Sequence, residues 1–199
     1  MLQMMVRTEP FTKEQIPEKL KEHGVRVNGY AEAYFAHPRF SVGCGETIPV
    51  TIASLRELGF EDRATLADIF GRLPQAGLRP CSPGTGLHLR LAWHDQPESR
   101  DSVLSGTHEA PDLAVTVLSD ILEPDDGFPK GLYLRNVGGV LWLRGYVCDL
   151  GYAFPADALF AFGAEGGTGR PGERGSAEKG SRFPVFGKMP VYRVRAGSI

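Results

Sequence analysis

The sequence predicts an α+β fold in which N-terminal helices are followed by a mainly antiparallel β-sheet. Three observations carry this reading. A stripe of apolar residues at helical spacing runs through residues 65–73, and a two-residue alternation of apolar and polar positions takes over from Leu87. The alternating runs are then separated by turn signals rather than by further helices, which favours α+β over a βαβ arrangement.

Taken in order, Met1 to Val6 are mildly apolar, but Arg7 and Glu9 interrupt them and no basic segment precedes them, so they do not read as a secretory signal. Residues 12–37 predict two short helices. Thr12 and Gln15 match a capping box, while Pro17 offers a second start within a first turn. Gly24 stops the first helix, Asn28-Gly29 punctuates, and Tyr30 to Ala36 form the second before His37-Pro38. Ile48, Val50 and Ile52 alternate as in a half-buried strand. Thr65, with Asp68 three residues on, caps the clearest helix, whose stripe of Leu66, Ile69, Phe70 and Leu73 ends at Pro74 and Gly77.

Leu87, Leu89, Leu91 and Trp93 alternate with His88, Arg90 and Ala92, which predicts a strand with one buried face. Leu113, Val115 and Val117 repeat the pattern. Leu132 and Leu134 lead through the turn Asn136-Val137-Gly138-Gly139 into a return strand from Val140 to Cys148. Ala158 to Phe162 and Val191 to Arg195 supply two more short strands. Residues 1–163 thus form one α+β domain with a helical part over about 1–40. Residues 164–182 contain no large apolar side chain and read as a flexible Gly-rich loop, with 183–199 a C-terminal strand or extension.

A chain of 199 residues buries enough surface to fold without a disulfide or metal staple. With 22 basic and 24 acidic side chains, its net charge of -2 sets up no long-range field toward nucleic acid or an anionic membrane. Another protein is the partner class this leaves. Three widely spaced cysteines, Cys44, Cys81 and Cys148, do not suggest a disulfide framework, and no apolar run nears the ~20 residues of a membrane span. The expected compartment is the cytoplasm.

Leu58-Gly59-Phe60, Ala64-Thr65-Leu66, Ile69-Phe70, Gly77-Leu78, Pro80-Cys81, Leu87 to Leu91 and Asp95-Gln96-Pro97 resemble an uncharacterised family of bacterial proteins. That family carries similar words in the same order: an LGF–GAT helix, a GL–CP turn and a strand ending in DQP. Gly139 to Leu143 looks like its Gly-Leu-Trp-Leu strand, so the resemblance spans roughly residues 48–163. It implies no activity. The stretch after Pro97 and the Gly-rich tail look unlike the family.

Several clusters bear chemistry. His94, Asp95, His108, Glu109 and Asp112 would suit a divalent metal if residues 94–112 fold back as a loop; the plain alternative is a solvated polar rim. In a continuous strand His88 would stand roughly 20 Å from His94 and could not join them. Glu123, Asp125 and Asp126 beside Lys130 have the ingredients of a metal-dependent nuclease site, but Pro-Asp-Asp-Gly between apolar runs is first a turn. Cys44, flanked by Gly43 and Gly45, would be an accessible thiol, with His23 and His37 as the nearest imidazoles in sequence. Gly163 to Gly172 lacks the lysine and hydroxyl of a phosphate-binding loop. Arg170, Arg174 and Arg182 are largely cancelled by Glu165, Glu173 and Glu178, and Trp93 and Trp142 fit strand cores better than a base-stacking platform. The leading expectation is a non-catalytic binding or interaction module without a cofactor. The competing one is a small metal-assisted hydrolase or nuclease using His94, Asp95, His108 and Glu109.

Overall fold

The computed structural model of the protein describes residues 1–99, 111–149 and 151–164. In chain order the elements are β1 (Leu2–Arg7), α1 (Ile16–Glu22), β2 (Val25–Val27), α2 (Gly29–Ala36), β3 (Thr47–Ser54), β4 (Ala64–Thr65) and α3 (Leu66–Arg72). They continue with β5 (Leu78–Arg79), α4 (Thr85–Ala92), β6 (Val115–Val117), β7 (Gly131–Val137), β8 (Val140–Tyr146), β9 (Ala153–Phe154) and β10 (Leu159–Ala164). The α+β class is as expected.

The main sheet runs β1-β3-β10-β6-β7-β8-β2, with β5 also paired to β10; β4 and β9 form a separate two-stranded ladder. It is a mixed sheet, not a simply antiparallel one, because β10 pairs β6 and β2 pairs β8 in parallel. The helical N-terminal part is also corrected. α1 and α2 are present, but β1 and β2 are interleaved with them and occupy the two ends of the sheet. Three residues of β2 and an apolar leader were too short or too weakly patterned to read as strands.

The largest correction concerns residues 87–93. They form α4, not a strand, and all eight of its residues are buried. The helix packs against β1 near one end of the sheet and against β7 and β8 near the other, so the sheet curls around it. A helix enclosed on all sides has no solvent face to show as a polar stripe. Two residues advance a helix by about 200°, so Leu89 points away from the side that Leu87 and Leu91 share, and both sides meet apolar packing. Its start is also quiet: Gly84 caps it without a side-chain acceptor.

Strand alternation sorts the sheet into two faces. Met4, Val6, Val50, Ile52, Val115, Val117, Leu132, Leu134 and Leu143 line the inner face and enclose α4 together with α1 and α2. Phe160 and Phe162 lie on the outer face, where they pack with Leu66, Ile69 and Leu73 around α3 and with Phe154 of β9. The capping box predicted for α3 is present: Thr65 Oγ1 accepts from Asp68 N–H and Asp68 Oδ2 accepts from Thr65 N–H. The predicted hairpin is there too, with Gly138 and Gly139 at φ +58° and +72°, the left-handed pair that a tight two-residue turn requires.

One contact fixes α2 on the sheet. Asn28 caps α2 through Ala31 N–H, and the same side chain exchanges two hydrogen bonds with the Gly145 backbone of β8, at 2.8 and 3.1 Å. At Gly145 there is no room for a side chain: a Cβ would lie 2.5 Å from the Tyr30 carbonyl carbon. Gly145→Ala should therefore lower stability in a urea titration by about 1–3 kcal/mol or more, because backbone must move. Gly71→Ala, in α3 with nothing within 4 Å of an added Cβ, should raise it by about 0.5–1 kcal/mol.

Candidate functional site

His94 and Asp95 leave the end of α4 into solvent, and Gln96 turns back inside. His108 and Glu109 lie outside the described residues, so the four-residue cluster is only half described. Asp112 is described, and its carbonyl accepts from Ser99 Oγ at 2.6 Å. Among the described residues no group of three or more His, Cys, Asp or Glu could hold a metal ion. His94 meets His23 instead, a residue absent from the predicted cluster: His23 Nδ1 and His94 Nε2 are 3.2 Å apart, with the rings 16° from parallel. His23 caps the C-terminus of α1, so the pair ties that helix to the exit of α4. No local sequence signal links residues so far apart.

His88 serves the interior. Its Nε2–H donates to the Val42 carbonyl at 2.7 Å and its Nδ1 accepts from Glu9 N–H at 3.3 Å, which sets the tautomer. Burial holds its pKa below the usual histidine value. Two residues along α4, Arg90 is fully buried; its Nη1 donates to Gln96 Oε1 at 2.5 Å. Arg90 Nε and Nη2 find no hydrogen-bond partner among the described residues, and burial draws its pKa down to about 10, still well above neutrality. Gln96 passes the connection on to the Leu113 and Leu134 carbonyls.

The acidic cluster around Lys130 is a turn. Lys130 is buried, and its ammonium donates to the carbonyls of Glu123, Pro124 and Asp125 at 3.3, 3.0 and 2.5 Å. Gly127 N–H bonds Asp125 Oδ1 and Phe128 N–H bonds the Asp125 carbonyl, which completes the turn that Pro-Asp-Asp-Gly predicts. All three ammonium hydrogens thus have main-chain partners.

Cys44 is exposed, as its glycine neighbours suggest, but its thiol donates to Glu46 Oε1 at 3.1 Å. That carboxylate pushes the thiol pKa up, opposite to what a nucleophile needs. His37 accepts from Arg39 N–H, and His23 faces His94. Cys81 is buried and Cys148 half-buried; burial pushes their thiols up to about 12 and about 11, so both are packing residues. Trp93 is core as expected.

Trp142 is not core. It lies half-buried on the outer sheet face, opposite Arg26 of β2 and Arg135 of β7, and two positions before Arg144. The Arg26 and Arg144 guanidinium carbons sit 5.8 and 5.4 Å from the Trp142 ring centre, and Arg144 is 6.0 Å from Tyr133. These distances are those of cation–π contact. The four side chains form a ladder across three strands, on the part of the outer face nearest the β2 end. The alternation of Trp142 with Arg144 was visible in the sequence; the arrival of Arg26 through a parallel strand was not. Among the described residues, no helix is long and apolar enough to cross a membrane. The Gly-rich stretch from residue 165, Arg170, Arg174 and Arg182, and the C-terminal strand over 183–199 lie outside the described residues.

No family model, no curated protein and no solved structure matches this chain.

The histidines give a pH prediction. Burial lowers the folded-state pKa of both His23 and His88, and the neighbouring His94 lowers that of His23 further. The unfolded chain therefore binds protons more readily. Stability is full above the ordinary histidine value of about 6.5 and falls as pH drops through it toward the folded pKa values. Urea midpoints should be lower at pH 5.5 than at pH 7.5, and His88→Gln should reduce that difference.

Proposed function

We propose that this chain is a non-catalytic binding module of the cytoplasm that engages a protein partner through the outer face of β2, β8 and β7. The observation that supports this is the Arg26–Trp142–Arg144–Tyr133 ladder. Tryptophan, tyrosine and arginine are the side chains that most often dominate binding energy at protein interfaces, because each offers a large rigid area and a polar handle. Cation–π contacts hold these four in one arrangement before a partner arrives, which lowers the ordering entropy lost on binding. Their charge favours a partner surface that carries carboxylates. The kinship of residues 48–163 with an uncharacterised bacterial family belongs to this proposal and brings no activity with it.

The candidate nucleophile and the acidic cluster give no competing support, since Cys44 is bonded to Glu46 and Lys130 to main-chain carbonyls. The test is a comparison of the wild-type chain with a variant combining Trp142→Ala and Arg26→Glu. Partners co-purified from the native host are identified by mass spectrometry, and the affinity for the purified partner is then measured by calorimetry. The double variant should keep the wild-type circular dichroism spectrum and bind about thirtyfold more weakly, the size of a hot-spot loss. Unchanged affinity in the folded variant would exclude this face.

A further inference from the structure

We infer that His23 and His94 form a two-imidazole site for a divalent transition metal such as zinc, which clips the end of α1 to the exit of α4. The argument begins with spacing. Two imidazole nitrogens that each lie 2.0–2.1 Å from one tetrahedral zinc stand about 3.3 Å apart. His23 Nδ1 and His94 Nε2 are 3.2 Å apart, so the two donor atoms already stand at the spacing of a shared metal; the rings, 16° from parallel, need only turn by about 35° each to aim both lone pairs at it.

The second part is proton bookkeeping. Without metal, one nitrogen of the pair carries the hydrogen and the other accepts it. With metal, each ring places its hydrogen on the far nitrogen, Nε2 of His23 and Nδ1 of His94, and both near lone pairs coordinate the ion. No net proton is released from two neutral rings, and water fills the remaining positions. Coordination of this kind takes the neutral ring, whose lone pair is free for the ion.

The surroundings fit a cation. The charged groups that act on His23 are the carboxylates of Glu9 and Glu22 and the ammonium of Lys19, and Lys19 is itself paired to Glu22 at 3.0 Å. The residual field is therefore anionic, from Glu9, which belongs to the segment after β1. Ring nitrogens select zinc, nickel or copper over magnesium or calcium, which prefer oxygen. Because the two histidines come from elements far apart in the chain, an ion bound by both stabilises the folded state by mass action. This inference is independent of the outer-face binding proposal.

The test uses untagged, chelator-treated full-length protein and zinc ion alone, titrated by calorimetry at pH 7.5, with melting curves recorded in parallel. Wild type should bind one zinc per chain and melt at higher temperature with it. His23→Gln and His94→Gln, which keep size and hydrogen bonding but lose coordination of this kind, should each weaken binding by about tenfold or more and remove the thermal shift. His37→Gln, outside the pair, should match wild type. The inference is overturned if wild type binds zinc no more tightly than the His23→Gln/His94→Gln double variant. It is equally overturned if His94→Gln abolishes binding while His23→Gln leaves it intact, since His94 would then have other co-ligands.

Discussion

The enclosure of α4 is the constraint on which the rest of this structure depends. An eight-residue helix with no solvent side must satisfy every polar group it carries from within the protein. His88 does so through Val42 and Glu9, which pins the loop before β3 and the segment after β1 to the helix. The strands must curl to reach it, and that brings β1 and β8, distant in the sheet order, onto the same helix. Close approach then demands small residues: at Gly86 a Cβ would meet the Leu132 side chain at 3.1 Å. The surrounding packing follows from keeping this one helix dry.

Arg90 is enclosed completely but, among the described residues, only partly hydrogen-bonded. A buried guanidinium with two nitrogens lacking hydrogen-bond partners among the described residues is an expensive thing to place beside a leucine core. Gln96 supplies one strong bond and is itself held by two carbonyls, so the arginine is fixed in position. Lys130 shows the contrasting solution, a buried ammonium wrapped by three carbonyls of its own turn. The sequence placed Arg90 on the second face of an expected strand and Lys130 beside the carboxylates of a turn, and indicated the burial of neither. Charge in an amino-acid string says nothing about depth when the partners are main-chain atoms.

What the sequence made legible is local. The capping box of α3, the Gly138-Gly139 turn and the alternation in β3, β7 and β8 are decided by neighbours a few residues apart, and all were readable. α4 was not, because a helix packed on every side loses the one-sided stripe that identifies helices, and leucines at every second position mimic a strand. The parallel pairings of β2 and β10 depend on chain reversals far from the strands themselves. The candidate sites divide in the same way. The turn around Lys130 was foreseen from Pro-Asp-Asp-Gly, whereas the meeting of His23 with His94, and of Arg26 with Trp142, is made by topology. The net charge of -2 was similarly uninformative about place: it is compatible with a ladder of arginines on one stretch of sheet.

The position of β10 has a consequence for how the chain is made. This strand sits in the middle of the sheet, with β3 on one side and β6 on the other, yet it is the last strand described in the chain. Ile52 pairs with Ala161, and most of the described sequence lies between them. During synthesis, β3 and β6 therefore wait with open edges until residue 164 has cleared the ribosome. At about 5–20 residues per second that interval lasts several seconds, long compared with the formation of a helix or hairpin. The nascent chain can complete α3 and the β7–β8 hairpin in that time, but the sheet closes only once β10 is inserted. Non-local pairing of this kind slows folding and leaves apolar edges exposed, so the vulnerable species is the chain just short of β10.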